Sequence, residues 1–155
     1  MSDLATILGR RFNGTFTVDP WGLDRDLIDL VAPLSSLRWS LSVEGEDAIA
    51  SGPALLVAPR RLRAPTEPVV VAAAVLRAVD RPLRILGVPD VAPIGPLLRR
   101  FGGVVDHPAE AAALLRDGQL VLSRRVLPVD APVVHVRTRG WELGRRWTVA
   151  FDAVR

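Results

Sequence analysis

Arginine side chains cluster at two places in the chain, and their chemistry suits a phosphate or a carboxylate. The planar guanidinium donates paired hydrogen bonds whose spacing matches the oxygens of both anions. The first cluster comprises Arg60, Arg61 and Arg63, and the second comprises Arg124 and Arg125. Runs of surface arginine are commonly solvated, but both clusters follow apolar runs typical of buried strands, and we predict an anion-binding role for them.

Proton transfer would need a histidine or a carboxylate in a suitable place. The chain has two histidines, His107 and His135. His107 precedes Pro108 at the start of a predicted helix, where it can act as an N-cap, and His135 falls inside an apolar run. Ser123 lacks the glycine-flanked turn that exposes a nucleophilic serine. The sequence therefore predicts structural roles for these three side chains.

No metal and no cofactor are predicted. No predicted helix carries paired His, Asp or Glu residues at the four-residue spacing of metal ligands. Gly102 and Gly103 follow a helical segment instead of opening one, as a phosphate-binding loop would. Cysteine is absent, which excludes disulfide and thiolate chemistry and suits a reducing compartment.

Length and charge restrict the class of protein further. A chain of 155 residues with a formal net charge of +3 fits one domain with a sizeable core. Arginine is interspersed with Asp and Glu over most of the chain, so nucleic acid is not an expected partner. No apolar run approaches the ~20 residues of a transmembrane helix, and the first residues do not follow the order of a secretion signal. We expect a cytoplasmic protein.

The elements that would position the candidate residues alternate between strands and helices. Strands are predicted at 38–44, 54–58, 83–88, 120–123, 133–137 and 147–154. Helices are predicted from a cap at Asp24 to near Pro33, and at 66–79, 94–101 and 108–116. This alternation predicts an α/β fold, with a mainly parallel or mixed sheet flanked by helices. Residues 1–18 lack periodicity and are predicted to form an N-terminal arm before a domain at 19–155.

Short phrases of turn, strand and cap residues stand in a distinctive order from Asp19 onward. They are VDPWGLD at 18–24, VEG at 43–45, GPALLVA at 52–58, RPLR at 81–84, GPLLRRFG at 95–102, GQLVL at 118–122 and APVV at 131–134. In this order and spacing they resemble the glycerophospholipid acyltransferases of the lysophosphatidic-acid type. The resemblance implies an acyltransferase-like α/β fold.

The chain departs from that family at the catalytic histidine. In the family, the strand that resembles 54–58 is followed by Asn-His, and a later carboxylate orients the histidine as general base. Here Arg60 stands at the histidine position, and a guanidinium cannot accept a proton at neutral pH. Pro65 and Glu67 match the family's later proline and carboxylate, so the frame around the substitution is retained.

A second departure affects the acceptor site. The family's Phe-Pro-Glu-Gly turn, which helps bind the phosphate-bearing acceptor, is replaced here by Arg124-Arg125-Val126-Leu127. The helical stretch that follows this turn in the family is also missing, so one active-site element looks deleted. Both departures at one site argue against conventional acyl transfer.

The resemblance and its departures predict a catalytically degenerate acyltransferase-like domain. It would bind an anionic ligand, of phosphate or acyl-carrier type, or a protein partner, as an accessory to lipid or acyl metabolism. The predicted ligand-binding residues are Arg60, Arg61, Arg63, Glu67, Arg124 and Arg125. Two alternatives stay open: an active acyltransferase or acyl hydrolase whose rearranged site uses Glu67 or a histidine, and a pure protein-interaction module with a closed cleft. Peripheral contact with a membrane also stays open.

The missing helix predicts an uncovered sheet face. Apolar residues at successive positions, as at 120–122 and 133–134, are typical of strands covered on both faces. A homodimer or an obligate partner would then cover the face that the helix no longer covers. Alternatively, the arm would fold back over it through Leu4, Ile7, Leu8 and Phe12.

Overall fold

A computed structural model describes residues 18–49, 51–58, 66–89 and 91–154. Within these ranges the chain forms a mixed, mostly parallel sheet of seven strands with four α-helices. The predicted α/β class is confirmed. The predicted arm lies outside the described residues, apart from Val18, which forms an isolated bridge with Asp24.

The elements follow the predicted order. Strands β1 to β7 are Ser40–Glu44, Ala54–Val57, Leu83–Leu86, Gly103–Val104, Leu120–Ser123, Val133–Gly140 and Arg146–Ala153. Helices α1 to α4 are Arg25–Arg38, Thr66–Val79, Ile94–Arg100 and Pro108–Arg116, and a 3-10 turn occupies Glu46–Ala48. Strand β4 was not predicted, because two residues show no periodicity.

Strand directions bring most of the strand ends to one edge of the sheet. The order across the sheet is β1-β7-β6-β2-β5-β3-β4. Strands β6, β2, β5, β3 and β4 all run parallel, whereas β7 and β1 run the opposite way. We call the edge at which the five parallel strands end the carboxyl edge; β7 and β1 begin there. Ligands of open α/β sheets bind outside such an edge.

Two apolar clusters, one on each face of the sheet, form the core. Helix α2 packs on the first face through Val70, Val71, Ala74 and Val75, which meet the alternate strand residues Leu56, Leu122 and Val149. Helix α4 packs on the second face through Leu114 and Leu115, against Leu55 and Val121. Because successive strand residues point to opposite faces, the central strands are apolar throughout, as predicted.

The second face is open where β1, β7 and β6 lie. Strand β6 alternates between the buried Val134 and Val136 and the exposed His135 and Arg137. The predicted cover on both faces holds at 133–134, where Val134 belongs to the first-face cluster and Val133 packs against the second. From His135 onward, the second face of β6 is open. Arg137 on this open face donates to Asp152 at 2.7 and 3.1 Å. These hydrogen bonds, more than the charge of Asp152 itself, raise the pKa of Arg137.

The first helix confirms its predicted start but not its predicted end. The Asp24 side chain accepts from the Leu27 backbone N–H at 3.1 Å, as an N-cap does. The helix continues past Pro33 to Arg38. Proline removes one backbone donor, but Pro33 is exposed, so water can reach the carbonyl that loses its partner.

The uncovered apolar face expected around β5 is absent in the described chain. Leu120, Val121 and Leu122 are all buried without a second molecule. Residues 124–132 form no helix or strand, yet Leu127 in this segment is buried in the second-face cluster. The segment therefore covers the face that a helix was expected to cover. The homodimer stays a prediction, but this reason for it is removed.

Candidate functional site

The two arginine-bearing segments begin side by side at the carboxyl edge. The Ala58 backbone N–H, just after β2, donates to the Ser123 carbonyl at the end of β5 at 3.0 Å. Arg124 and Arg125 follow Ser123 directly. Arg60, Arg61 and Arg63 lie outside the described residues, so a cavity shared by Arg60 and Arg124 stays a prediction.

Arg124 and Arg125 are both exposed. The Arg125 guanidinium lies 3.4 Å from Asp106, which follows β4, and its backbone N–H donates to the Ser123 hydroxyl at 3.2 Å. Arg124 forms no ion pair with any described residue. An exposed pair at this distance contributes little to stability, so both guanidinium groups are available to an incoming anion.

The amino end of α2 also lies at the carboxyl edge, and Glu142 from the β6–β7 hairpin caps it. The Glu142 carboxylate accepts from the Thr66 backbone N–H at 3.2 Å and from the Thr66 hydroxyl. Unpaired N–H groups and the helix dipole favour a negative charge at this position. In this chain, the Glu142 carboxylate supplies that negative charge.

Glu67, the predicted carboxylate of the site, is engaged beside this cap. The Thr138 hydroxyl on β6 donates to Glu67 Oε1, and Glu67 is half-buried. Among the described residues no histidine donates to Glu67. The pairing needed for a histidine base is therefore not formed here.

Both histidines lie elsewhere. His107 Nδ1 accepts from the Ala109 backbone N–H at 3.2 Å, which confirms its predicted role as N-cap of α4. His135 is exposed on the open face of β6, whereas Glu67 contacts the neighbouring Thr138 from the α2 side. The alternative in which one of these histidines replaces the missing base with Glu67 finds no support in this geometry.

A buried ion pair fixes the segment that precedes α1. Arg84 on β3 is 1% exposed, and its guanidinium binds the Asp19 carboxylate. Burial lowers the pKa of Arg84 to about 10, and the nearby Asp117 carboxylate acts in the opposite direction. The guanidinium therefore stays charged at neutral pH. Asp19 Oδ1 also accepts from the backbone N–H groups of Trp21 and Leu23, each at 3.0 Å.

Sequence reasoning missed Thr138 and Glu142 because it ended β6 at residue 137 and left 138–146 unassigned. The missed signal is the glycine-bounded stretch 140–144 between two alternating runs, which is typical of a hairpin. The Gly144 N–H donates to the Trp141 carbonyl at 2.7 Å and closes this turn.

No family model, no curated protein and no solved structure matches the chain. The resemblance to acyltransferases therefore rests on the sequence phrases alone. None of the helices in the described ranges combines the length and apolarity needed to cross a bilayer. Within the same ranges, no three His, Asp or Glu side chains converge as metal ligands would.

Proposed function

We propose that this chain is a catalytically degenerate, acyltransferase-like domain that binds an anionic ligand at its carboxyl edge, in the cytoplasm. The proposal that the domain is not catalytic rests on one observation. Both carboxylates at the amino end of α2 are already bonded within the chain, Glu67 to Thr138 and Glu142 to Thr66. Each carboxylate has one oxygen bonded to a threonine, and neither is bonded to a histidine in the described part of the chain.

The anion-binding part rests on charge at the same edge. Arg124 and Arg125 extend from β5 beside the point where the segment 59–65 leaves β2, and that segment adds three arginines to the sequence. Charge-assisted hydrogen bonds from arginine to phosphate are about twice as strong as neutral ones. A phosphate group, free or on an acyl carrier, is the ligand class that this edge suits best.

We expect no acyl transfer from acyl-coenzyme A to glycerol 3-phosphate. General-base catalysis contributes about 10²–10⁴-fold, and the described site supplies no histidine to act as the base. The assay measures release of free coenzyme A against a boiled sample. Glu67→Gln keeps the size and a hydrogen-bonding group of the side chain, so it serves as the matched variant. Turnover above the boiled sample that Glu67→Gln abolishes would refute the non-catalytic proposal.

We expect coenzyme A and inorganic pyrophosphate to raise the Tm of the protein, since a ligand that binds only the native state stabilises it. Arg124→Gln and Arg125→Gln should each weaken binding about tenfold, because a hydrogen bond to a charged group contributes ~1.5–3 kcal/mol. Arg116→Gln is the control, since Arg116 is exposed at the opposite edge, where α4 ends. If the ligands raise the Tm of Arg124→Gln, Arg125→Gln and Arg116→Gln equally, the anion binds at another site.

A protein-interaction module is the second candidate. The bonding of Glu67 to Thr138 and of Glu142 to Thr66 favours it, because both carboxylates have partners within the chain and need no ligand to satisfy those oxygens. The pyrophosphate titration separates the two candidates: a module with a closed cleft would show no Tm shift that depends on Arg124.

A further inference from the structure

Three large apolar side chains are exposed together at the carboxyl edge. Trp141 and Leu143 in the β6–β7 turn are 67% and 71% exposed, and Leu37 near the end of α1 is 71% exposed. Single exposed apolar residues are normal on a protein surface, whereas a cluster of them marks an interaction site.

Hydrogen bonds from arginine side chains to backbone carbonyls hold these residues on one surface. Arg38 donates to the Gly144 carbonyl at 3.1 Å and to the Leu143 carbonyl at 3.4 Å. Arg145 donates in return to the Leu37 carbonyl at 2.9 Å. The end of α1 and the hairpin turn are thus joined side by side, and we call Leu37, Trp141 and Leu143 the apolar knob.

The exposed charged residues within three positions of the apolar knob along the chain are all arginines. Arg38, Arg139, Arg145 and Arg146 are exposed near it. The hairpin's one carboxylate, Glu142, is half-buried and turned towards Thr66. Asp106, also near the carboxyl edge, follows β4 at the far end of the sheet.

We propose that the apolar knob docks on the surface of an anionic phospholipid bilayer. Trp and Leu would enter the boundary between headgroups and acyl chains, and the surrounding arginines would pair with lipid phosphates. Arginine can keep its stem along the apolar surface while its charged head stays among the headgroups. The exposed arginines beside the apolar knob complement anionic headgroups, which favours a lipid surface as the occupant.

The inference uses different residues from the anion site at Arg124, so either proposal can fail without the other. The test is co-sedimentation of the full chain with vesicles of equal parts phosphatidylcholine and phosphatidylglycerol, and with vesicles of phosphatidylcholine alone. We expect binding to the anionic vesicles that weakens as salt is added, because exposed charges are screened.

Two double variants with matched controls test the apolar side chains and the arginines of this surface separately. Trp141→Ser combined with Leu143→Ser should weaken binding at least about tenfold, through the loss of apolar burial. Val154→Ser is its control, since Val154 is 50% exposed at the opposite edge, beyond the end of β7. Arg139→Gln combined with Arg146→Gln should weaken binding to anionic vesicles by about fivefold for each charge removed, whereas Arg116→Gln should not.

Tryptophan fluorescence gives a second readout that does not depend on a large loss of binding. The wild-type protein should show a blue shift on mixing with anionic vesicles, and Trp141→Phe should bind while losing most of that shift. Equal sedimentation of the wild type and the Trp141→Ser, Leu143→Ser variant would overturn the proposal. So would a dimer, detected by light scattering without lipid, that this double variant dissociates, because the apolar knob would then bind a second copy.

Discussion

Replacement of Asp19 by alanine is expected to destabilise the fold by about 3–5 kcal/mol, because it leaves a buried charge without its partner. Arg84 is 1% exposed and binds Asp19 through both of the Asp19 carboxylate oxygens. In the intact protein its pKa of about 10 keeps Arg84 charged at neutral pH, so the ion pair is formed there. Among the described residues, Arg84 also donates to Gln119 Oε1 at 3.4 Å, but this acceptor is neutral.

The loss at Asp19 has a second, smaller source. The same carboxylate accepts from the backbone N–H groups of Trp21 and Leu23, which form the turn before α1. Without it, these donors lose a charged acceptor in a partly buried site, which adds to the cost. Denaturant unfolding monitored by circular dichroism measures the change in the free energy of unfolding.

Asp29→Ala is the matched control for Asp19→Ala. Asp29 pairs with Arg25 at 2.9 Å on the exposed side of α1, and Arg25 also binds Asp80 at 2.9 Å. The control should cost no more than about 0.5 kcal/mol. Arg84→Met in the Asp19→Ala background should recover part of the lost stability, because it removes the uncompensated charge. If Asp19→Ala costs as little as Asp29→Ala, the ion pair does not hold this segment.

Local signals predicted most of the fold. The cap at Asp24, helix 108–116 and strand 120–123 were predicted at the bounds that the structure shows, because each depends on neighbours within about four residues. The half-buried alternation of Trp39, Leu41 and Val43 also predicted correctly a strand at the sheet edge.

Long-range contacts could not be predicted from the same signals. Glu142 caps α2 from 76 residues away, and no pattern around Thr66 indicates which distant carboxylate will reach it. Leu127 covers the second face without belonging to any helix or strand, so its burial has no periodic signature. The sequence therefore predicted that arginines follow the ends of two strands. It did not predict that Glu67 and Glu142 would be bonded within the chain.

Replacement of Gly102 by alanine is expected to cost about 2–5 kcal/mol, from backbone strain and overpacking together. Gly102 ends α3 with φ +95°, a conformation that L-residues rarely adopt. A Cβ atom there would lie 2.5 Å from the Leu83 carbonyl oxygen and 3.3 Å from Leu23 Cδ1. The carbonyl cannot move away easily, because Leu83 belongs to β3, which is paired on both sides.

Gly118→Ala separates the two sources of that cost. Gly118 follows α4 with φ +78°, but a Cβ atom there would meet nothing within 4 Å. Its replacement should therefore cost only the backbone term, about 1–2 kcal/mol. Denaturant unfolding of both variants gives the steric contribution at Gly102 as the difference between them. Equal losses would mean that the turn after α3 relaxes away from Leu83, and that the contact between this turn and β3 is looser than the structure indicates.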